Sequence, residues 1–274
     1  KKGEEKTIMP NWVDANTTID IKNFSYENFI ASDLNGVISY KKGKINGKNL
    51  NALSLNGEIA GEFTLSEPIR KNLKLVSNIA LKKINIRNSF DAFNSYGQTF
   101  IVKEQLKGMG SAEINIESYW GPNFVLDKKN LKVKSHLIIE KGELIDFKPL
   151  ESLSSYVSLE ELKNVKFSTL ENTIDVANEI VTIPTMEIKS SALSVVLSGT
   201  QTFNQEINYE ITLLLSELLS TSFRKKNTQI TEFGEKQENG KIFNTVYFKM
   251  TGNTDNPKIS LNKIRFMDDV NKSI

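Results

Sequence analysis

Apolar residues recur at every second position through most of this chain, and turn-type residues interrupt that rhythm at short intervals. Period two is the signature of β-strands, because successive side chains point to opposite faces. It is clearest late in the sequence, where Val165, Phe167 and Thr169 alternate with polar neighbours. Leu193, Val195 and Leu197 do the same, as do Ile207, Tyr209, Ile211, Leu213 and Leu215. Breaks are expected at Glu171-Asn172, Asn178, Pro184, Gly199 and Asn204-Gln205. Strands this close together are antiparallel neighbours, since a parallel sheet needs crossover helices that the sequence lacks.

The same rhythm organises the first half. Strands are expected at 18–22, 32–40, 43–48, 50–55 and 57–65, separated by Asn35-Gly36, Lys42-Gly43, Asn46-Gly47, Asn56-Gly57 and Gly61. Asn-Gly pairs accept positive φ and favour tight hairpin turns or bulges. A long strand at 73–86 carries Leu73, Leu75, Ser77, Ile79 and Leu81 on one side. A short helix is expected at 89–96, with Phe90, Phe93 and Tyr96 as an apolar edge closed by Gly97. Strands follow at 100–102 and 109–117, the latter with Ala112, Ile114 and Ile116 in alternation, then a turn at Tyr119-Trp120-Gly121-Pro122. Leu131, Val133, Leu137 and Ile139 share a face of a strand at 131–140. Pro149 fits the first position of a helix at 149–162, with Leu150, Leu153, Val157 and Leu162 at helical spacing. That helix is read as a cap over one end of the sheet, with a gate over a binding face as the other possibility.

Residues 1–15 read as a linker, 16–261 as one β region, 221–241 as a mobile polar loop and 262–274 as a frayed tail. Within the β region, Ile242, Val246, Phe248 and Met250 form one late strand and 258–261 another. A strand, a short helix and further strands occur in 73–130 and again in 131–215, a weak internal repeat. Many short strands with one apolar face have two common solutions. Either a second sheet covers the first as a sandwich, or the sheet stays an open trough with its apolar lining exposed to a lipid.

Composition removes several functions. Thirty-five Lys and Arg against 33 Asp and Glu leave a net charge of +2, with basic and acidic residues interleaved, which gives no case for nucleic acid. Zero Cys excludes disulfides and cysteine-based catalysis or metal binding. The single histidine, His136, falls mid-strand among polar-face residues, and no hydrolase, P-loop, zinc or dinucleotide motif is present. Asp268-Asp269 lacks the spacing of a calcium loop. The expectation is a non-catalytic protein without metal or cofactor. No apolar run reaches the roughly 20 residues that span a bilayer. The glycosylation sequons at Asn16, Asn23 and Asn271 are matches that chance supplies in an Asn-rich chain. Trp12 and Trp120 sit in turn-like surroundings, as local packing or as interface anchors.

Several segments carry a family resemblance. They are 142–150 (Gly-Glu-Leu-Ile-Asp-Phe-Lys-Pro-Leu), 162–170 with Phe167-Ser168-Thr169-Leu170, and Ile183-Pro184-Thr185-Met186-Glu187-Ile188. Ser190-Ser191-Ala192-Leu193, Leu197-Ser198-Gly199-Thr200 and Asn208-Tyr209-Glu210-Ile211 belong with them. Together, over about residues 70–260, they resemble the C-terminal region of AsmA-type proteins, especially the form found in Bacteroidetes-like bacteria. The resemblance implies a mainly β fold: an elongated, curved antiparallel sheet forming an open apolar groove, with two or three short helices, similar in architecture to TamB and to bridge-like lipid-transfer proteins.

It also implies a periplasmic protein tethered to the bacterial inner membrane by an N-terminal anchor outside this chain. Such a protein holds or moves phospholipid, or another acyl lipid, toward the outer membrane, with an envelope protein as a further possible partner. The groove lining would then come strand by strand: Leu73, Leu75, Ile79 and Leu81; Ile114 and Ile116; Val133, Leu137 and Ile139; Val165 and Phe167. The later strands would add Leu193, Val195 and Leu197, then Tyr209, Ile211 and Leu213, then Val246 and Phe248. A charge at Val195 or Ile211 would block transfer while sparing the strands. Two alternatives stand beside this reading: a scaffold that binds an envelope protein through a sheet edge, and a closed β-sandwich adhesin or sugar-binding module.

Overall fold

The computed structural model describes residues 9–69, 72–151, 163–190, 193–215, 235–238 and 241–262. All strands among them belong to one antiparallel sheet that does not close into a barrel. In chain order they are β1 (Asp14–Tyr26), β2 (Phe29–Lys41), β3 (Lys44–Ser54), β4 (Gly57–Ile69) and β5 (Asn72–Asn85). Then come α1 (Ile86–Ala92), β6 (Leu106–Trp120), β7 (Lys132–Ile145), α2 (Lys148–Glu151), β8 (Asn164–Ala177) and β9 (Ile180–Lys189). The series ends with β10 (Leu193–Thr202), β11 (Glu206–Leu215), β12 (Glu235–Glu238), β13 (Lys241–Asn253) and β14 (Lys258–Leu261). Each strand from β1 to β11 pairs with its sequence neighbour; β13 then adds to β11 and carries β12 and β14 on its other edge. The chain is therefore mainly β, and its described strands belong to one sheet rather than two.

The strands are longer than the sequence suggested because several expected breaks are bulges. Asn35-Gly36 and Asn46-Gly47 lie inside β2 and β3. There the register slips around Asp33 (φ 50°) and Asn49 (φ 51°), each an extra residue in the left-handed region. Asn35 and Asn51 then donate their side-chain amides to the carbonyls of Asp33 and Asn49, at 2.9 and 2.8 Å. True two-residue turns occur at Lys42-Gly43, Leu55-Asn56 and Asn178-Glu179, with positive φ at both positions as a right-twisting hairpin requires. Glu171-Asn172, Pro184 and Gly199 likewise stay within β8, β9 and β10. Proline lacks a ladder donor, and burial in β9 changes parity at Pro184, from Val181 and Ile183 to Met186 and Ile188. The same change in β8 turns Thr169 outward and Leu170 inward.

Other boundaries move too. The helix expected at 89–96 starts at Ile86, because the Asn85 side chain accepts the amide of Asn88 at 3.1 Å and so caps it. Tyr119 and Trp120 end β6 rather than forming the turn. Residues 100–102 are not a strand: Gln98 accepts the Ile101 amide at 2.9 Å and donates to its carbonyl at 2.6 Å, tying off a loop. Of the helix expected at 149–162, α2 covers the start, and 152–162 lie outside the described residues. Within the expected loop at 221–241, Glu235–Glu238 is strand β12; residues 221–234 and 239–240, and the tail from 263, fall outside them. Residues 9–13 are anchored rather than loose: Met9 is buried, its amide donates to Glu67 Oε2 at 2.9 Å, and Tyr40 donates to the Pro10 carbonyl at 2.5 Å.

The chain forms two compact units. Unit 1 comprises Lys1–Asn94, Gly110–Leu137 and Thr173–Val181; unit 2 comprises Ser95–Met109, Ile138–Asn172 and Thr182–Ile274. In unit 1, register defines the two faces of β1–β5. Tyr40, Ile45, Leu65 and Leu75 form one cross-strand row, Ile38, Gly47, Phe63 and Ser77 the next, then Leu50, Gly61 and Ile79, then Ala52, Ile59 and Leu81. The opposite face pairs Asp14 with Lys41, Glu58 with Lys82 and Glu62 with Asn78. A one-residue slip would turn the apolar rows to the charged side, so the rows and the charge pairs specify the same register.

In unit 2 the ladder of β10, β11, β13 and β14 stacks Leu197, Ile211, Phe248 and Leu261 in one row and Gly199, Tyr209, Met250 and Ile259 in the next. Its buried members, Ile207, Tyr209, Ile211, Leu213, Val246, Phe248 and Met250, are one continuous core. Two glycines in this unit admit aromatic rings: a Cβ on Gly142 would collide with Phe167, and one on Gly199 (φ 154°) with Tyr209.

Candidate functional site

Both units present an apolar ladder, but only one is covered. In unit 2 the 98–105 loop lays Phe100 over Tyr209, with ring centroids 6.4 Å apart and nearly parallel. Phe147 meets Phe100 edge-on at 5.1 Å, and Leu150 from α2 and Ile183 from β9 pack on the same core. Leu213 is 0% exposed. Burial pushes the Tyr209 phenol up to about 12, with its hydroxyl donating to Gln201 at 3.3 Å.

In unit 1 the corresponding residues are half-buried or more exposed. Ile19, Ile38, Ile45, Phe63, Leu65, Leu75, Ile79 and Leu81 are all partly open to solvent, and Ile21 and Phe24 on the edge strand are exposed. β6 extends this face. Lys74 bridges to Glu117 at 3.1 Å and lies 5.2 Å from the Tyr119 ring centre, which fixes those side chains on the polar side. Leu73, Leu75, Ile114 and Ile116 therefore share the apolar side. Hydrogen bonding to Tyr119 and then to Glu117 raises the Lys74 pKa, and the bond from Lys74 holds Glu117 below the usual carboxylate range. The Lys132–Glu117 contact at 3.9 Å sets Val133 and Leu137 on the apolar side in the same way.

Two structures bound this face at its ends. At one, Phe93 after α1 stacks on Phe29 at 5.6 Å, and Phe29 meets Phe24 edge-on at 6.4 Å. At the other lie Met9 and Pro10, held by Glu67 and Tyr40.

The expected lining residues thus divide. Leu75, Ile79, Leu81, Ile114, Ile116, Val133 and Leu137 lie on the uncovered face of unit 1, where Leu73 is buried near the strand end. Tyr209, Ile211, Leu213, Val246 and Phe248 form the closed core of unit 2 and leave an acyl chain no room without displacing Phe100. A charge at Ile211 is therefore a core lesion rather than a clean block to transfer. Val195 and Leu197 pack at the margin of that core. Val165 is buried, while Phe167 over Gly142 and Ile139 are half-buried. Leu193 is paired with Leu215, and its side chain lies outside the described residues. His136 is exposed on β7.

Sequence reasoning missed the lining supplied by β1–β4, including Ile19, Ile38, Ile45 and Phe63. Their alternation was visible, but the presumed turns at Asn35-Gly36 and Asn46-Gly47 cut it into pieces. It also missed the covering role of Phe100 and Phe147, for which the only signal was apolar bulk in a connection.

These features define a protein of one open antiparallel β-sheet with one sealed and one unsealed apolar face. No helix of the described residues is long and apolar enough to cross a membrane. No protein-family model matches the sequence, and no curated protein matches it.

Proposed function

We propose that the chain holds or conducts an acyl lipid along the apolar face of unit 1. It would act as part of an AsmA-like protein of the bacterial envelope, periplasmic and tethered to the inner membrane, serving the outer membrane. The observation that carries the reading is the uncovered row system of β1–β6 in a chain that covers its other apolar ladder with Phe100, Phe147 and Leu150. The argument is energetic. Each acyl CH₂ leaving water gains about 0.8 kcal/mol, so two long chains crossing water face a barrier on the order of 20 kcal/mol. A continuous apolar face lowers that barrier without any chemistry. The AsmA-like assignment adds an elongated, curved groove along which such a lipid would move.

Organic extraction of purified protein followed by mass spectrometry tests the reading. Phospholipid is expected in the extract, and it should be lost in Ile79→Asp and Phe63→Asp with strand content by circular dichroism unchanged. Lipid retained in both variants, or no lipid in the parent protein, would count decisively against it. A second reading has one observation in its favour. Among the described residues β1 pairs only with β2, leaving a 13-residue edge for strand addition by an envelope protein. A stoichiometric protein crosslink at β1, with no extracted lipid, would favour that scaffold.

A further inference from the structure

We propose that one turn end of unit 1 is a docking surface for an anionic lipid bilayer. Four large apolar side chains project there: Trp12 is 82% exposed, Ile69 67%, Phe124 66% and Val125 65%. They come from separate stretches of chain that the fold gathers at one end of the strands. Trp12 follows Met9 and Pro10, which are fixed to Glu67 and Tyr40 beside the β2–β3 turn. Ile69 pairs with Asn72, whose side chain lies beside Gly121. Gly121 donates to Val125 at 2.8 Å and Asp127 to Tyr119 at 2.8 Å, closing a tight loop that holds Phe124 at its tip. Asn123 and Phe124 both adopt left-handed backbone, at φ 62° and 57°. A bulky aromatic in that backbone region is uncommon and costs conformational energy, and its ring is left mostly in water.

Charge selects the partner. Lys42, Lys44, Lys128 and Lys129 are exposed around these tips. Asp14 is paired with Lys41 at 3.4 Å, and Glu67, on the Met9 amide, and Asp127, on Asn130 at 2.7 Å, leave these lysines in excess. The opposite end of the unit also exposes Tyr26, Ile30 and Phe93. There, however, Glu27, Glu58 and Asp91 offset Lys82, Lys83 and Arg87. An amphipathic tryptophan, apolar loop tips and a surplus of lysine are what the interface of an anionic membrane accommodates. The inference uses none of the residues of the uncovered face, so it stands or falls separately from lipid carriage.

The test is flotation of the full chain with phosphatidylcholine vesicles containing roughly 30% phosphatidylglycerol, read together with tryptophan emission of a Trp120→Phe variant in which Trp12 is the sole reporter. Expected results are co-flotation, a blue shift of Trp12 emission and its quenching by brominated lipid. Binding should weaken about ten-fold in Trp12→Ser/Phe124→Ser, in Lys128→Glu/Lys129→Glu and in about 0.5 M salt. Tyr26→Ser/Ile30→Ser, at the other end, should bind like the parent. If Trp120→Phe fails to fold, the flotation series alone decides. An unmoved Trp12 emission, equal binding to pure phosphatidylcholine, or an equal loss in Tyr26→Ser/Ile30→Ser would overturn the proposal. Phospholipid extraction of the same variants separates docking from carriage, because the end-loop variants should retain any bound lipid.

Discussion

The ladder of β10, β11, β13 and β14 and the ladder of β1–β5 are written in the same alternation, yet they end in different states. Around Tyr209 and Leu213 the chain supplies its own cover from two connections, and the apolar side becomes a core. Around Ile38 and Phe63 the described connections among β1–β4 are two-residue turns, too short to reach across, and the same kind of side remains half open. Alternation sets which side is apolar; the length and composition of the connections decide whether that side is sealed.

Substitutions that separate the two ladders test this contrast most strongly. Leu213→Ala should cost about 3–5 kcal/mol in denaturant unfolding, as expected for a fully buried leucine with no room to collapse. Ile79→Ala should cost only about 1 kcal/mol, because its native environment is already partly water. Equal costs would mean that both faces are sealed. Next in size, Gly199→Ala and Gly142→Ala should each cost about 1–3 kcal/mol, since a methyl at Gly199 meets the Asn208 carbonyl and Tyr209, and one at Gly142 meets the Phe167 ring.

The pH response sharpens the comparison from the other side. Tyr209 is raised when folded, so its contribution is intact below the ordinary phenol value near 10 and is lost as pH rises toward about 12. Alkaline titration followed by phenolate absorbance should show a late-ionising phenol that is missing in Tyr209→Phe, and unfolding of the core in the same window. Glu143 is lowered chiefly by its hydrogen bond from Lys107, so its contribution is present at neutral pH and lost as pH falls through the carboxylate range. Glu143→Gln should flatten that acid limb slightly. The smallest effect is expected on the solvated charge ladder, where Glu58→Ala should change stability by about 0.5 kcal/mol or less.

Much of this arrangement was legible in the residues. The period-two runs gave the strand class, and the short connections gave antiparallel pairing; the β14 segment falls where the alternation put it. What stayed hidden was nonlocal or depended on single-residue backbone geometry. A left-handed Asp33 or Asn49 changes the parity of everything after it, and Asn-Gly reads alike as a bulge or as a turn. Phe100 read as part of a short strand and Phe147 as an ordinary apolar residue before a helix, because the contacts of Phe100 with Tyr209 and of Phe147 with Phe100 are distant in sequence and made only by the fold. The lining list therefore mixed residues of an open face with residues of a core. The end-loop cluster at Trp12, Ile69 and Phe124 was invisible until the strands were brought into register.

Photo-crosslinking is the most direct probe of the uncovered face. A benzophenone amino acid would be placed at Phe63 or Ile79 in unit 1 and, as a control, at Asn78 on the polar side, then irradiated in lipid-containing extracts. The account predicts phospholipid adducts at Phe63 and Ile79 and none at Asn78. Absence of adducts at the first two positions, or equal labelling at all three, would contradict it.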